Sequence, residues 1–294
     1  MKKIMLTLAI ATIAVSQTFA QNEVDALRYS RLTLGGTARF TATGGAFGAV
    51  GADFSSLGIN PAGIGIYKKS EITFTPSIYM GNSNSSYNGQ SMSEGRSNFN
   101  LGNFGMIFSM NTDNGTDKPG WKNVNFGFGF NKYNNYNNRV SIQGSNTESS
   151  LLTDYTSMAQ GSLPKDLSNY TTGLAFNTYL IDTIPGNQTS YFSAIPLSGG
   201  VLQNKTIETT GAINEMVFSM GGNYSEKLYL GITVGVPYAK YNQISSYKET
   251  DDGDSIPNFK SFTINDEVKT NGTGLNFKFG MIYRITDWVR IGMA

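Results

Sequence analysis

The 294-residue chain contains no cysteine and no histidine. Without cysteine there is no disulfide framework and no thiol nucleophile, so the fold rests on hydrogen bonds and packing alone. Without histidine the usual general base of nucleophilic catalysis is missing, and a zinc centre built on either residue is excluded. Charge is sparse: 22 Lys and Arg against 21 Asp and Glu leave a net +1. Nucleic acid selects a strongly basic surface, so no nucleic-acid partner is expected. Beyond Ala20 there is no run of about eighteen apolar residues, which excludes helical membrane spans. What is abundant is glycine (34), phenylalanine (18) and tyrosine (16). Glycine and aromatics with little charge suit strands that face lipid on one side and water on the other.

The first twenty residues read as an export signal rather than as part of the fold. Lys2 and Lys3 precede an apolar stretch over 4–15, broken only by Thr7 and Thr12, and Thr18-Phe19-Ala20 is a small-x-small cleavage site. The apolar stretch is shorter than the ~20 residues a spanning helix needs. Cleavage after Ala20 leaves Gln21 first; with no cysteine there, no lipid anchor of the bacterial lipoprotein kind follows.

Residues 22–66 are crowded with glycine, alanine and serine, and 46–56 are expected to form a short helix or turn. The centre is DFSSLGINPAGIGIYK over 53–68, with Asn60-Pro61-Ala62-Gly63 in the middle. A small-residue run containing proline is unsuited to a central strand, yet this one is too apolar for a solvated tail. It is expected to be a plug inside a pore. Asn60, preceding Pro61, is biased away from the helical region and can hydrogen-bond nearby backbone. The plainer reading is a turn with no gating role.

From Ser70 the pattern changes to period two. Phe126, Phe128 and Phe130 alternate with Gly127, Gly129 and Asn131; Phe277 and Phe279 alternate with Asn276, Lys278 and Gly280. Similar alternation runs through 71–80, 103–110, 216–220 and 228–236. Alternation over about ten residues with flanking Tyr and Trp predicts transmembrane β-strands, hence an all-β antiparallel barrel in the bacterial outer membrane. A soluble sandwich would alternate too, but the export signal favours the barrel. Tight turns are expected at 225–227 and 286–287, longer polar loops at 81–96, 134–211 and 249–257. With a periplasmic N-terminus the tight turns fall on the periplasmic side; the link 111–121 is a longer periplasmic connection. About seven strands are countable. An open edge in lipid is costly, so the chain is expected to be the N-terminal half of a longer barrel.

Within 134–211, taken as a long extracellular loop, Leu151, Leu152, Tyr155, Met158 and Ala159 recur at helical spacing, ending near Gly161 and Pro164. Leu174, Phe176 and Tyr179, then Tyr191, Phe192, Ile195 and Leu197, add apolar patches. These residues either fold over the barrel mouth and hold a hydrophobic ligand, with Leu151, Tyr155, Phe176 and Phe192 as candidates, or simply pack the loop together. Enzyme chemistry finds no footing. Ser55-Ser56 has no nucleophile–base partner, and the glycines of 44–51 lack the Lys-Ser/Thr of a phosphate loop. Asp251-Asp252-Gly253-Asp254 has calcium-type ligands without EF-hand spacing and reads as a solvated loop tip. No cofactor or metal is expected.

Three features together resemble the FadL/TodX-type outer-membrane transporters of long-chain fatty acids and other hydrophobic compounds. The first is Asn60-Pro61-Ala62-Gly63, where that family carries its NPA signature in an N-terminal hatch. The second is KTNGTG over 269–274 leading into LNFKFG over 275–280. The third is GMIYRITDWVRIG over 280–292, similar to the family's G-L-I-Y-R-P-T-D-W-L-R-L-G, with Ile285 in place of proline. The resemblance covers hatch and strands, while the loops diverge. It implies a barrel of about fourteen strands with the N-terminal segment lodged in its lumen. It also implies monomeric uptake of fatty acids or other hydrophobic small molecules, by a hatch-gated and lateral route into membrane lipid. Asn60, Pro61 and Ala62, with Gly63 completing the motif, are the positions carried over. A general porin or adhesion barrel would share the strands without needing the plug, and a barrel-bound lipase would need a nucleophile elsewhere. Intact-mass measurement of the exported protein is expected to give a chain beginning at Gln21; retention of residues 1–20 would contradict the export reading.

Overall fold

The computed structural model describes residues 23–33, 35–112, 119–196 and 200–294. The signal sequence, Gln21, Leu197 and most of the 111–121 link lie outside the described residues. Eleven strands follow in order: β1 (Glu71–Tyr87), β2 (Gln90–Asn111), β3 (Trp121–Asn135), β4 (Asn138–Asn146), β5 (Ile181–Ile184), β6 (Asn187–Ser193), β7 (Val201–Tyr224), β8 (Leu228–Thr250), β9 (Ser261–Thr273), β10 (Asn276–Arg284) and β11 (Arg290–Met293). Nine of them build one antiparallel sheet curled into a half-barrel. Its path is β1-β2-β3-β7-β8-β10-β11, with β4 and β9 continuing β3 and β10 along β7 and β8. The seven strands of the path match the number read from periodicity. Among the described residues no helix is long and apolar enough to cross a membrane.

Register aligns the alternating residues into rows. Phe108, Phe126, Met220, Ile232 and Phe279 stand side by side across five strands. The next row is Met106, Phe128, Phe218, Val234 and Phe277. These face outward: Phe108, Phe279 and Phe277 are 54%, 58% and 74% exposed. Such exposure of contiguous apolar side chains is far from the isolated surface leucine of a soluble protein. Toward the tight turns the outward face ends in Trp121, Tyr224 and Tyr283, all substantially exposed, with the Trp121 and Tyr224 rings 5.7 Å apart edge to face.

One expected loop is strand instead, and two are shorter than expected. Residues 81–96 continue β1 and β2 to a two-residue turn at Asn88-Gly89, where φ is 45° and 77°. Asn-Gly is the preferred two-residue hairpin turn because both central residues need positive φ. The expectation missed it because the flanks are Ser- and Asn-rich, without apolar alternation. The loop assigned to 134–211 is also shorter. β3 runs to Asn135, β4 pairs β7 from Asn138↔Thr209 to Asn146↔Val201, and only the residues between them leave the sheet. Likewise β8 reaches Thr250, so the 249–257 loop starts later. At that tip the amide of Ile256 donates to Asp251 (2.7 Å), holding the carboxyl below its ordinary range, and Asp254 pairs with Lys260. Among the described residues no group of three or more acidic side chains converges on a metal-sized site.

The outer unit between β4 and β7 folds on a core of its own. The helix Leu151–Ala159, at the residues the spacing indicated, and the helix Thr172–Asn177 pack with the β5–β6 hairpin. Leu152, Ile181, Tyr191 and Ile195 are buried there against Phe259, just before β9, and Phe262 at its start. Its anchor is Glu249 near the end of β8, fully buried. Its carboxylate accepts from the Leu151 amide (2.9 Å), Gln203 Nε2 (2.8 Å), the Tyr247 hydroxyl (2.6 Å) and the Ser150 hydroxyl. Ser150 is the N-cap of the helix and closes a capping box with Thr153. The charge is thus held by donors and by the positive end of a helix rather than by a cation. Glu249→Ala is expected to release this helix at a cost of about 1–3 kcal/mol, read as faster hydrogen exchange over 151–159 with β7 and β8 unchanged.

Candidate functional site

The N-terminal segment lies on the concave face of the sheet. It comprises the helix Glu23–Ser30, a one-turn helix Ala38–Ala42, and two 3₁₀ helices, Phe54–Gly58 and Pro61–Ile66. The helix or turn expected over 46–56 is turn up to Asp53 and 3₁₀ helix beyond it. Asp53 caps that helix through the Ser55 amide (2.9 Å) and also accepts from the Thr37 hydroxyl. Phe54, Leu57, Ile64 and Tyr67 are buried against Ile107 of β2 and Val217 of β7. Burial, reinforced by the nearby Glu71 carboxylate, pushes the Tyr67 hydroxyl above the ordinary tyrosine range, so it stays a donor.

Why a polar backbone can lie so close to a sheet is answered by one inward row. Gly221 of β7, Gly231 of β8 and Gly280 of β10 are mutual register partners, and Asn125 of β3 ends the row. The 3₁₀ helix Pro61–Ile66 rests in this trough. A Cβ on Gly221 would stand 2.6 Å from Ile64 Cγ2, one on Gly231 2.7 Å from the Ala62 nitrogen, and one on Gly280 2.9 Å from Pro61 Cδ. Higher on β3, a Cβ on Gly129 would stand 2.6 Å from the Phe54 ring. The glycines that alternate with phenylalanine in sequence are therefore the inner wall of a close-fitting seat.

Polar side chains grip both ends of the seated helix. Asn60 is buried and is its N-cap, with Pro61 at the first turn where a missing N–H costs nothing. The Asn60 side chain accepts from the Ala62 amide (3.0 Å) and donates to the carbonyls of Gly48 (2.7 Å) and Met281 (3.2 Å). At the other end Asn125 donates to the carbonyls of Ile64 (2.6 Å) and Tyr67 (2.9 Å), and Asn123 adds a bond to Tyr67. All four motif residues, Asn60, Pro61, Ala62 and Gly63, are buried in this seat.

Beside the seat lies a cavity of about 550 Å³ with Gly58 in its wall. Tyr29, Leu32, Ile213, Pro237 and Ala239 supply apolar surface, and Glu215, Lys278, Tyr133 and Asn276 supply the polar end. Glu215 is 1% exposed and pairs with Lys278 at 2.8 Å. The Tyr133 hydroxyl donates to the same carboxylate at 2.6 Å, and Asn276 donates to its other oxygen. The helix Glu23–Ser30 adjoins this region: Arg28 stacks on Tyr241 at 4.2 Å, and Tyr29, Tyr136 and Tyr241 meet edge to face.

The sheet also parts. β2 and β3 pair only from Asn111↔Asn123 to Asn103↔Asn131. Beyond that point β2 continues with β1 alone, and β3 with β7. Register shifts at Thr75/Pro76 and at Lys132/Asn134 flank the split. Proline cannot donate to a ladder, and bulges re-aim strands, so the local sequence accounts for the divergence. The β1–β2 hairpin leans instead on β4, where Ser83 and Ser85 donate to the carbonyls of Arg139 and Ser141. A cavity of about 330 Å³ opens there between Ser77, Asn100, Gly102, Lys132 and the N-terminal residues Thr33 and Gly36. Thr33 donates its amide to the Tyr133 carbonyl (2.8 Å), and Asn134 donates to the Arg31 carbonyl (2.9 Å), so the N-terminal segment borders the opening.

The outer candidates are not brought to this place. Leu151, Tyr155 and Phe176 pack against the outer core, whereas Phe192 is half exposed. Leu151 and Tyr155 also line a cavity of about 360 Å³, but its other walls include Tyr87, Gln203, Lys205 and Asp266. Comparison of the chain with family models, with curated proteins and with solved structures finds no match. Asn123, Asn125, Glu215 and Lys278 were not anticipated. The available signal was polarity at the inward positions of strands whose other face is apolar. Asn60→Ala is expected to loosen the seat by about 1–3 kcal/mol, since a cap is lost and two part-buried carbonyls lose a donor. Gly231→Val is expected to do so by about 1–3 kcal/mol through overpacking. Both are read as faster hydrogen exchange over 53–67 with β7 and β8 protected.

Proposed function

We propose that this protein is an outer-membrane transporter of the FadL/TodX type, in which the seated N-terminal segment is a hatch and hydrophobic small molecules, fatty acids among them, pass sideways between β2 and β3. The observation that carries the proposal is the combination on one sheet. Its outward face is a registered apolar band, its inward face is a glycine trough filled by the NPAG segment, and its wall parts beside that segment. A hydrophobic solute gains nothing from a water-filled pore, and a gap in the wall would deliver it into lipid. The outward rows lie two residues apart, so four of them from Met110 to Phe104 run roughly 20 Å along the strand, about 15 Å of a barrel's ~25 Å apolar belt at a ~40° tilt. In this reading the half-barrel is the N-terminal part of a closed barrel, the tight turns are periplasmic and the outer unit is extracellular. The protein acts as a monomer without cofactor.

Gly102 provides the test. A Cβ there would meet its nearest neighbours, the Gly36 and Thr75 carbonyl oxygens, at 3.6 Å, ordinary contact, so the first carbon of a side chain fits at the split without displacing backbone. Gly102→Leu is expected to lower uptake of a labelled long-chain fatty acid by cells several-fold, with membrane insertion and amount unchanged. Unchanged uptake at normal insertion would remove the lateral route. Steady ion conductance through the wild-type protein in planar bilayers would mark an open porin instead.

A further inference from the structure

The cavity beside the hatch has a polar end whose charges are already spent on each other. Lys278 Nζ lies 2.8 and 3.0 Å from the two oxygens of Glu215 and 3.4 Å from the Tyr133 hydroxyl. An ammonium has three donors, and these are three acceptors. Glu215 in turn accepts from Lys278 on both oxygens, from Tyr133 and from Asn276, which fills a carboxylate's acceptor sites. The pair is therefore a closed, neutral network in a wall whose other side chains are uncharged: apolar, or the neutral polar groups of Tyr29, Thr270, Asn271 and Thr273. From this, and resting on the uptake reading above, we infer that the cavity selects hydrophobic molecules with an uncharged polar head, such as a long-chain alcohol, over the corresponding carboxylate.

The reasoning concerns what an entering head group would find. A carboxylate must shed its water and meets no free cation. To reach Lys278 it must displace Glu215, which would strand a buried charge without its partner. A hydroxyl sheds water more cheaply and finds neutral partners in Thr270, Asn271 and Thr273 along the same wall. The alkyl chain has Leu32, Ile213, Pro237 and Ala239 to lie on. Glu215 is thus a specificity-determining residue: it cancels the one cation among the residues lining the cavity.

The experiment is direct binding to the full chain in lipid nanodiscs, with protein-free discs as background. The probes are a radiolabelled primary alcohol and the carboxylate of equal chain length, at mildly alkaline pH where the acid is ionised. The wild type is expected to hold the alcohol about tenfold more tightly. Glu215→Gln, which leaves Lys278 uncompensated, is expected to reverse that order. Glu215→Gln combined with Lys278→Met, which removes both charges, is expected to restore it and serves as control should the single variant not fold. A wild type that binds the carboxylate as tightly as the alcohol overturns the inference and leaves the uptake reading standing. Binding of neither probe above background overturns both.

Discussion

The closest approach between the sheet and the 3₁₀ helix Pro61–Ile66 is the constraint on which the rest of this structure depends. Gly221, Gly231 and Gly280 share one inward row, and each stands where any side chain would collide with the seated segment. The contact brings hydrogen-bonding backbone against a sheet wall. Asn60 and Asn125 satisfy it in part by donating to carbonyls of Gly48, Met281 and Ile64 along the contact. Non-directional burial of Phe54, Leu57 and Ile64 provides attraction, while the two asparagines fix position. A seat held this way has a definite register, which a greasy contact alone would not give.

The same division between apolar attraction and polar positioning recurs away from the trough. The outer unit adheres through a core of leucine, isoleucine and aromatic side chains, and Glu249 fixes where its helix begins. The inner cavity is apolar over most of its wall, and the Glu215–Lys278 pair sets its polar end. In each case a buried carboxylate is tolerated because several donors converge on it, the condition under which burial of an ion is offset. The split between β2 and β3 is the opposite case, where Pro76 and two register shifts leave strand edges without a continuous ladder.

Much of this was legible beforehand, and what was not has physical reasons. Period-two alternation identified the strands of the main path, because one face is apolar and the other is not. The helix at Leu151–Ala159 followed from its spacing. The Asn88-Gly89 hairpin was hidden because its flanking strands are rich in Ser and Asn and carry no apolar alternation. The true extent of β4, β7 and β8 was hidden for the same reason. Leu151, Tyr155 and Phe176 looked alike in sequence whether they faced a ligand or one another, and the fold has them packing on the outer core.

Composition and periodicity by themselves determined that this chain makes strands with one apolar face, and that the stretch around Asn60-Pro61-Ala62-Gly63 is not one of them. These are local properties, set by side-chain alternation and by what proline and glycine do to their own backbone. Only the tertiary structure decided which glycines align into a trough, which asparagines reach the seated helix, that Glu215 and Lys278 cancel, and where the sheet parts. Those outcomes depend on register between strands tens to hundreds of residues apart. A shift of one residue would turn every glycine outward and every phenylalanine inward.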